Sequence, residues 1–183
     1  MDEEVFRSVN SMASSSIIAL IGLALSSRWI LLVVGAPIVG WMLKKKRIVA
    51  LVAIVLGTAS SEAMSSHVIK PLVDRERPCR SLQSVTVPAG CGPGRSFPSS
   101  HAASGFGLAT ATAIFVPKSA VVLLPLAAMV AGSRVLLGVH FPSDVLGGSL
   151  VGAIIGLGFA AIGRRIEARK KPSKQDEPAS LAL

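Results

Sequence analysis

The chain has 183 residues, of which 51% are hydrophobic and only 16% are charged, and its formal net charge is +9. Soluble domains usually carry about a quarter charged residues. This composition therefore excludes an ordinary soluble domain and predicts an integral membrane protein of one domain. The basic residues cluster beside apolar segments, as topology signals do. That placement argues against nucleic acid as a partner.

Six hydrophobic segments predict an all-α integral membrane bundle of about six transmembrane helices. The first has an acidic start, unlike a signal peptide. We expect it to remain as an anchor whose polar first half is an amphipathic interfacial helix. A loop of about 70–100, rich in proline, glycine and charge, follows the third segment. We predict one domain over 1–163 and a basic, disordered tail over 164–183. The predicted segments are 5–26, 29–43, 48–69, 101–117, 119–138 and 143–163.

Three basic clusters orient these segments. Lys44–Arg47, Lys118 and the run from Arg164 to Lys171 fall on one side of the membrane if six segments alternate. The positive-inside rule places that side in the cytoplasm. The loops after the third and fifth segments then lie together at the outer, periplasmic or extracellular face.

The residues around the start of the sixth segment predict phosphate chemistry. Pro142 suits the first turn of a helix, because its missing N–H would be unpaired there. Asp144 then lies in that turn, and its carboxylate can reach back to one nitrogen of His140. The other nitrogen stays free to attack. Arg134 ends the preceding helix and offers a planar fork of donors to phosphate oxygens.

A second group of residues precedes the fourth segment. Ser99 and Ser100 open a helix that begins near His101, where a hydroxyl and free backbone N–H groups favour phosphate binding. His101 is placed to give a proton to a leaving oxygen. Lys70, at the end of the third segment, and Arg77, in the following loop, add two cations.

The ordered set of clusters resembles the type 2 phosphatidic acid phosphatase family, which includes the vanadium haloperoxidases. The family signature is Lys-x6-Arg-Pro, Pro-Ser-Gly-His and Ser-Arg-x5-His-x3-Asp. Residues 70–144 contain every charged and imidazole position of it, in order. Ser100 departs from the usual glycine, and serine would be strained if the position needs a positive φ. The segment pattern resembles the bacterial members, which implies the inner (plasma) membrane.

The resemblance implies a phosphatase that uses no metal and no cofactor. His140 is expected to be the nucleophile that forms a phosphohistidine, with Asp144 as its partner. His101 is expected to protonate the leaving group and then to activate water. The implied partners are the bilayer and a lipid phosphate, such as polyprenyl (undecaprenyl) pyrophosphate, phosphatidic acid, phosphatidylglycerol phosphate or lipid A. The implied phosphate-binding residues are Lys70, Arg77, Ser99, Ser100 and Arg134.

Several alternatives stay open at this point. A lipid-to-lipid phosphotransferase would use the same residues, and a non-catalytic lipid-binding subunit is the alternative outside enzymes. Glu62, inside a predicted span, belongs either to a substrate channel or to polar packing. Cys79 and Cys91 either form a disulfide across the loop or stay free. Asp74–Glu76 are expected to be solvated loop charges. Glycines at four-residue spacing predict close helix packing: Gly148, Gly152 and Gly156.

Overall fold

The computed structural model describes residues 1–27 and 29–169, apart from the side chain of Leu31. Within these residues all regular structure is helical, which confirms the predicted all-α class. The last helix continues to Arg169, so the start of the predicted tail is helical. Residues 170–183 lie outside the described residues. The helices are α1 (Asp2–Ser11), α2 (Ser16–Ser26), α3 (Trp29–Lys44), α4 (Ile48–Ala63), α5 (Lys70–Val73), α6 (Pro78–Ser81), α7 (Ser100–Phe115), α8 (Ala120–Leu136) and α9 (Pro142–Arg169).

Among the described residues, three helical segments are long and apolar enough to cross a membrane: Ile48–Ser81, Pro117–Leu136 and Pro142–Arg169. The number becomes four if the bent pair Asp2–Ser14 and Ser16–Ser26 counts as one span, and Leu32–Lys44 is a shorter apolar helix. These numbers come from length and composition, so the predicted number of about six stays a prediction.

The first predicted segment is broken in the structure. Ser15 has an extended backbone, with φ −74° and ψ 120°, and the helices on either side meet at 110°. Asp2 hydrogen-bonds Ser143, at the start of α9, and Ser26 contacts Arg134, near the end of α8. Both ends of the segment therefore lie at one end of the bundle, and the structure does not carry this segment across it.

Small residues let α7 and α9 pack backbone against backbone. A Cβ built on Gly152 would lie 2.1 Å from the carbonyl oxygen of Ala103, and one on Gly156 would lie 2.5 Å from that of Gly107. Neither distance leaves room for a side chain. The predicted close packing of the glycine face is thus confirmed, and it holds the start of α7 beside the start of α9.

The motif residues lie at one end of the bundle, and the basic clusters Lys44–Arg47, Lys118 and Arg164–Arg169 lie at the other. Arg47, before α4, donates to Glu167 of α9 over 2.8 Å and to the carbonyl oxygen of Phe115 over 3.1 Å. These bonds join the start of α4 to the ends of α7 and α9. The other ends of the same helices carry Lys70, His101 and Asp144.

Candidate active site

A cavity of about 420 Å³ lies between α3, α7 and α8 at the motif end of the bundle. Of the predicted site residues, two lie behind its wall: Ser99 and Asp144, both fully buried. The structure therefore brings together residues from four separate stretches of the chain. The predicted site residues that line the cavity are Lys70, Arg77, Ser100, His101, Arg134 and His140.

His140 lies in the connection between α8 and α9, and only 2% of it is exposed. Its Nδ1 lies 3.6 Å from Oδ2 of Asp144 and 3.5 Å from Oγ of Ser96. Burial lowers the pKa of His140 from 6.5 to about 4, so the ring is neutral at neutral pH. With Nδ1 facing a carboxylate, the single proton of the neutral ring belongs there, and Nε2 keeps a lone pair.

Asp144 is held by donors from three directions. Its Oδ2 accepts the hydroxyl of Ser96 at 2.5 Å and the backbone N–H of Phe141 at 2.7 Å, and its Oδ1 accepts from Arg75 at 2.8 Å. Helix α9 begins at Pro142, so Asp144 is its third residue and reaches back to the capping residue, as in a capping box. The local sequence thus fixes this carboxylate, and the donors satisfy its buried charge.

Arg75 and Ser96 are site residues that the sequence reasoning missed. The expectation that Arg75 is a solvated loop charge is wrong, because it binds Asp144 and stacks over the ring of Phe141 at 4.1 Å. No local spacing points to these contacts, since Ser96 and Arg75 lie 48 and 69 residues from Asp144. Asp74, by contrast, pairs with Arg95 in a largely exposed contact.

Lys70 is positioned by two serines. Its Nζ donates to Oγ of Ser100 at 2.9 Å, and that oxygen lies 3.0 Å from Oγ of Ser66. A π-helical turn, Met64–Ile69, precedes Lys70. Ser100 is the first residue of α7. In the described part of the chain, the non-glycine residues with positive φ are Lys46, Asp74 and Ser84. Serine in place of the family glycine is therefore unstrained.

Two guanidinium groups reach the same cavity. Arg77, only 8% exposed, donates to the carbonyl oxygen of Gly94 at 3.3 Å. Arg134 contacts Ser26, but among the described residues its buried Nε has no hydrogen-bond partner, and neither has the buried Oγ of Ser99. Buried cations and unpaired donors are costly without a counter-charge. Together with the ammonium of Lys70, these two guanidinium groups suit an anion such as phosphate.

A disulfide closes the loop beside Arg77. Cys79 and Cys91 are joined, with Cα atoms 5.8 Å apart and a separation of 12 positions in the sequence. Arg80 strengthens the closure by donating to the carbonyl oxygen of Gly92 at 2.9 Å. Of the two alternatives for these cysteines, the structure therefore shows the disulfide. The disulfide closes the loop whose Gly94 carbonyl oxygen accepts from Arg77.

Below the polar end, the cavity becomes an apolar channel. Glu62 of α4 also lines it, which favours a place in the channel over polar packing for this carboxylate. This channel is formed largely by α3, α7 and α8. Its apolar wall includes Ile30, Val34, Leu108, Leu123, Leu126 and Val130.

The comparisons with known proteins agree with this geometry. Residues 48–167 match the family model of the PAP2 superfamily. The chain belongs to this superfamily. It is 40% identical over 107 residues to decaprenylphosphoryl-5-phosphoribose phosphatase of Mycobacterium tuberculosis (strain CDC 1551 / Oshkosh), covering 56% of each chain. Over 125 residues it is 32% identical to lipid A 4'-phosphatase of Bacteroides thetaiotaomicron, covering 64% of this chain and 56% of that one. The chain spans about half the length of these curated relatives.

The fold of this PAP2 chain is also found in a solved structure. The crystal structure of Aquifex aeolicus LpxE superposes with a TM-score of 0.67 and 25% sequence identity. The superposition covers 87% of this chain and 94% of that one. The helical arrangement described above is therefore a PAP2 membrane phosphatase fold, and the motif residues lie where that fold brings α4, α7, α8 and α9 together.

Proposed function

We propose that this PAP2 protein is a lipid phosphatase that hydrolyses a phosphomonoester or pyrophosphate of a membrane lipid. The observation that carries the proposal is the buried, neutral His140, backed by Asp144, in a cavity that three cations also line. A candidate nucleophile, its orienting carboxylate and three positively charged side chains thus occur together. The superfamily and the names of the relatives support the same reaction.

In the first step of the proposed reaction, Nε2 of His140 attacks phosphorus and the bond from phosphorus to the leaving oxygen breaks. His101, as the imidazolium, gives a proton to that oxygen and becomes neutral, so a lipid alcohol leaves uncharged and a lipid phosphate leaves with one negative charge fewer. Asp144 stabilises the positive charge on the phosphorylated ring. In the second step, His101 takes a proton from water, the resulting oxygen attacks phosphorus, and cleavage of the P–N bond frees His140 and phosphate.

The proposed role of Lys70, Arg77 and Arg134 is to neutralise the phosphoryl oxygens as charge builds up on them. Ser99 and the first N–H groups of α7 would add neutral donors. Among residues 1–27 and 29–169, no group of three His, Cys, Asp or Glu side chains is placed to hold a metal ion. This donor set supports a mechanism in which the protein's own cations stabilise the transition state.

We infer that the lipid tail lies in the apolar channel while the phosphate meets the cations. The candidate substrates include polyprenyl pyrophosphate, phosphatidic acid, phosphatidylglycerol phosphate and phosphorylated lipid A. The relatives' names add a polyprenylphosphoryl pentose 5-phosphate. The hydrocarbon tail of any of these lipids would enter from the bilayer, because the channel wall is apolar.

We further propose that the site faces outward in the bacterial inner membrane. The clusters Lys44–Arg47, Lys118 and Arg164–Arg169 lie at the end of the bundle opposite the site, and the positive-inside rule assigns that end to the cytoplasm. The proposed topology has five crossings, by α3, the α4–α5 segment, α7, α8 and α9, whereas the sequence predicted about six. The α1–α2 segment then stays at the outer end.

The proposal is tested with the purified protein in detergent and a panel of the lipid phosphates named above. Phosphate release is scored with and without an acceptor lipid, which separates hydrolysis from phosphotransfer. We expect release from at least one lipid, its loss in His140→Ala, and its retention in His67→Ala. His67 is a matched control because it does not line the cavity. Release that survives His140→Ala would refute the proposed function.

A further inference from the structure

The first turn of α1 is bonded directly to the first turn of α9. Oδ1 of Asp2 accepts the backbone N–H of Ser143 at 3.0 Å, and Oδ2 accepts the hydroxyl of Ser143 at 2.5 Å. The same Oδ2 accepts from Nη2 of Arg75 at 2.7 Å. Asp2 thus contacts the residue next to Asp144 in sequence and the arginine that holds Asp144.

Arg75 bridges two carboxylates with different nitrogens. Nη2 binds Asp2, whereas Nη1 binds Oδ1 of Asp144 at 2.8 Å and Oγ of Ser143 at 2.6 Å. The plane of the guanidinium lies over the Phe141 ring. A planar fork held at both nitrogens and on one face keeps a single orientation. Asp2 therefore limits where Arg75, and through it Asp144, can move.

Two further contacts dock α1 against the connection that carries His140. Phe6 is fully buried, and its ring centroid lies 5.5 Å from that of Phe141. The side-chain amide of Asn10 donates to the carbonyl oxygens of Thr86 and Leu136, both at 2.8 Å. Helix α1 thus contacts the beginning of the α8–α9 connection through Asn10 and its end through Phe6. It also contacts the first turn of α9 through Asp2.

We propose that Asp2 is a positioning residue for the His140–Asp144 pair and acts through Arg75. The inference rests on the proposed function. Asp2 and Arg75 are each about one-third exposed, and pairs as accessible as this contribute little to stability. The separation of 3.6 Å between His140 and Asp144, however, depends on the orientation of the carboxylate that Arg75 holds. Loss of Asp2 should therefore reduce turnover more than it reduces stability.

The test measures kcat, KM and thermal stability of the full chain in detergent on its best lipid substrate. We expect Asp2→Asn to lower kcat about tenfold, as loss of an outer orienting partner does elsewhere, with KM within about twofold of the wild type. Asp2→Glu should recover part of kcat. Glu4→Gln is the matched control, since it removes the same charge from the same turn. Glu4 pairs with the chain's amino group and stays exposed, so kcat should not change.

A double-mutant cycle separates positioning from a general effect of α1. Arg75→Ala alone should lower kcat further than Asp2→Asn, because it removes the direct partner of Asp144. Adding Asp2→Asn to Arg75→Ala should have little further effect, since both residues act on one carboxylate. Additive losses would overturn the inference, and so would wild-type kcat in Asp2→Asn. Each of these results leaves the proposed function standing, whereas a wild type that releases no phosphate overturns both.

Discussion

Replacement of Asp144 by asparagine removes a charge and leaves the shape of the side chain. Oδ2 of Asp144 faces two donors, the Ser96 hydroxyl and the Phe141 N–H. The amide oxygen will therefore take the Oδ2 position and keep the proton of His140 on Nδ1. The amide nitrogen is then turned toward Arg75, where a donor meets a donor. The variant therefore removes the negative charge at residue 144 but keeps the His140 tautomer, so it measures the effect of the charge alone.

The size of the effect follows from the distance. At 3.6 Å and an effective dielectric constant of about 20, a full positive charge on the ring and the carboxylate attract by about 5 kcal/mol. If about half of that charge has developed in the transition state, the loss is about 2–3 kcal/mol. We expect kcat to fall about 30- to 150-fold, with KM nearly unchanged.

The assay compares kcat and KM for phosphate release by the wild type, Asp144→Asn and Asp74→Asn. Asp74 is the matched control, because its carboxylate is 60% exposed in a surface pair with Arg95. Thermal unfolding of each variant shows that the fold is retained. Turnover by Asp144→Asn within about threefold of the wild type would refute the electrostatic argument. A loss shared by Asp74→Asn would show that the effect is not specific to the site.

Three further outcomes are expected. Phosphate release should persist in excess EDTA, because lysine and arginine supply the positive charge. In intact cells with a cysteine-free background, an impermeant thiol reagent should label cysteine at Ser84 but not at Lys45, since the two positions lie at opposite ends of the bundle. Ser100→Gly should keep activity within about tenfold. Ser100→Pro should lose about 100-fold or more, as when one backbone donor to an oxyanion is removed.

A different result would contradict each of these three expectations. Activity lost in EDTA and restored by magnesium would assign the positive charge to a metal. Labelling at Lys45 but not at Ser84 would place the site in the cytoplasm. Ser100→Pro tests the N–H by comparison with Ser100→Gly, since both lack the hydroxyl that Lys70 binds. The first position of a helix tolerates proline, and Ser99 before it is extended, at φ −72° and ψ 116°. Full activity of Ser100→Pro would exclude that N–H from phosphate binding.

What the sequence could predict of the site depended on local spacing. His140 and Asp144 are four residues apart around a helix start, so their approach follows from backbone geometry alone. The partners that arrive from elsewhere in the chain, Ser96, Arg75 and Asp2, leave no such pattern. They became visible only when the fold brought the loop before α7 and the helix α1 against the start of α9.

The fold, like the site, was predictable where it depends on local sequence patterns and not where it depends on backbone geometry. Hydropathy located the apolar helices and the glycine spacing predicted their close packing. The polar first half of the first segment predicted an interfacial helix, but the sharp bend at Ser15 was not predicted, because hydropathy does not register the backbone angle of one residue. The open question about Ser100 also needed coordinates, since only the backbone angle shows whether serine is strained.

The backbone contact between α7 and α9 separates the chemistry of the site from the choice of lipid. His101 and Asp144 each lie near the first turn of one of these two helices, so main-chain atoms that admit no side chain set their spacing. Much of the channel wall comes from α3 and α8, including Val34 and Leu126. Under the proposed function, substitutions at those positions are expected to change the preference for the lipid tail without shifting His101 and Asp144.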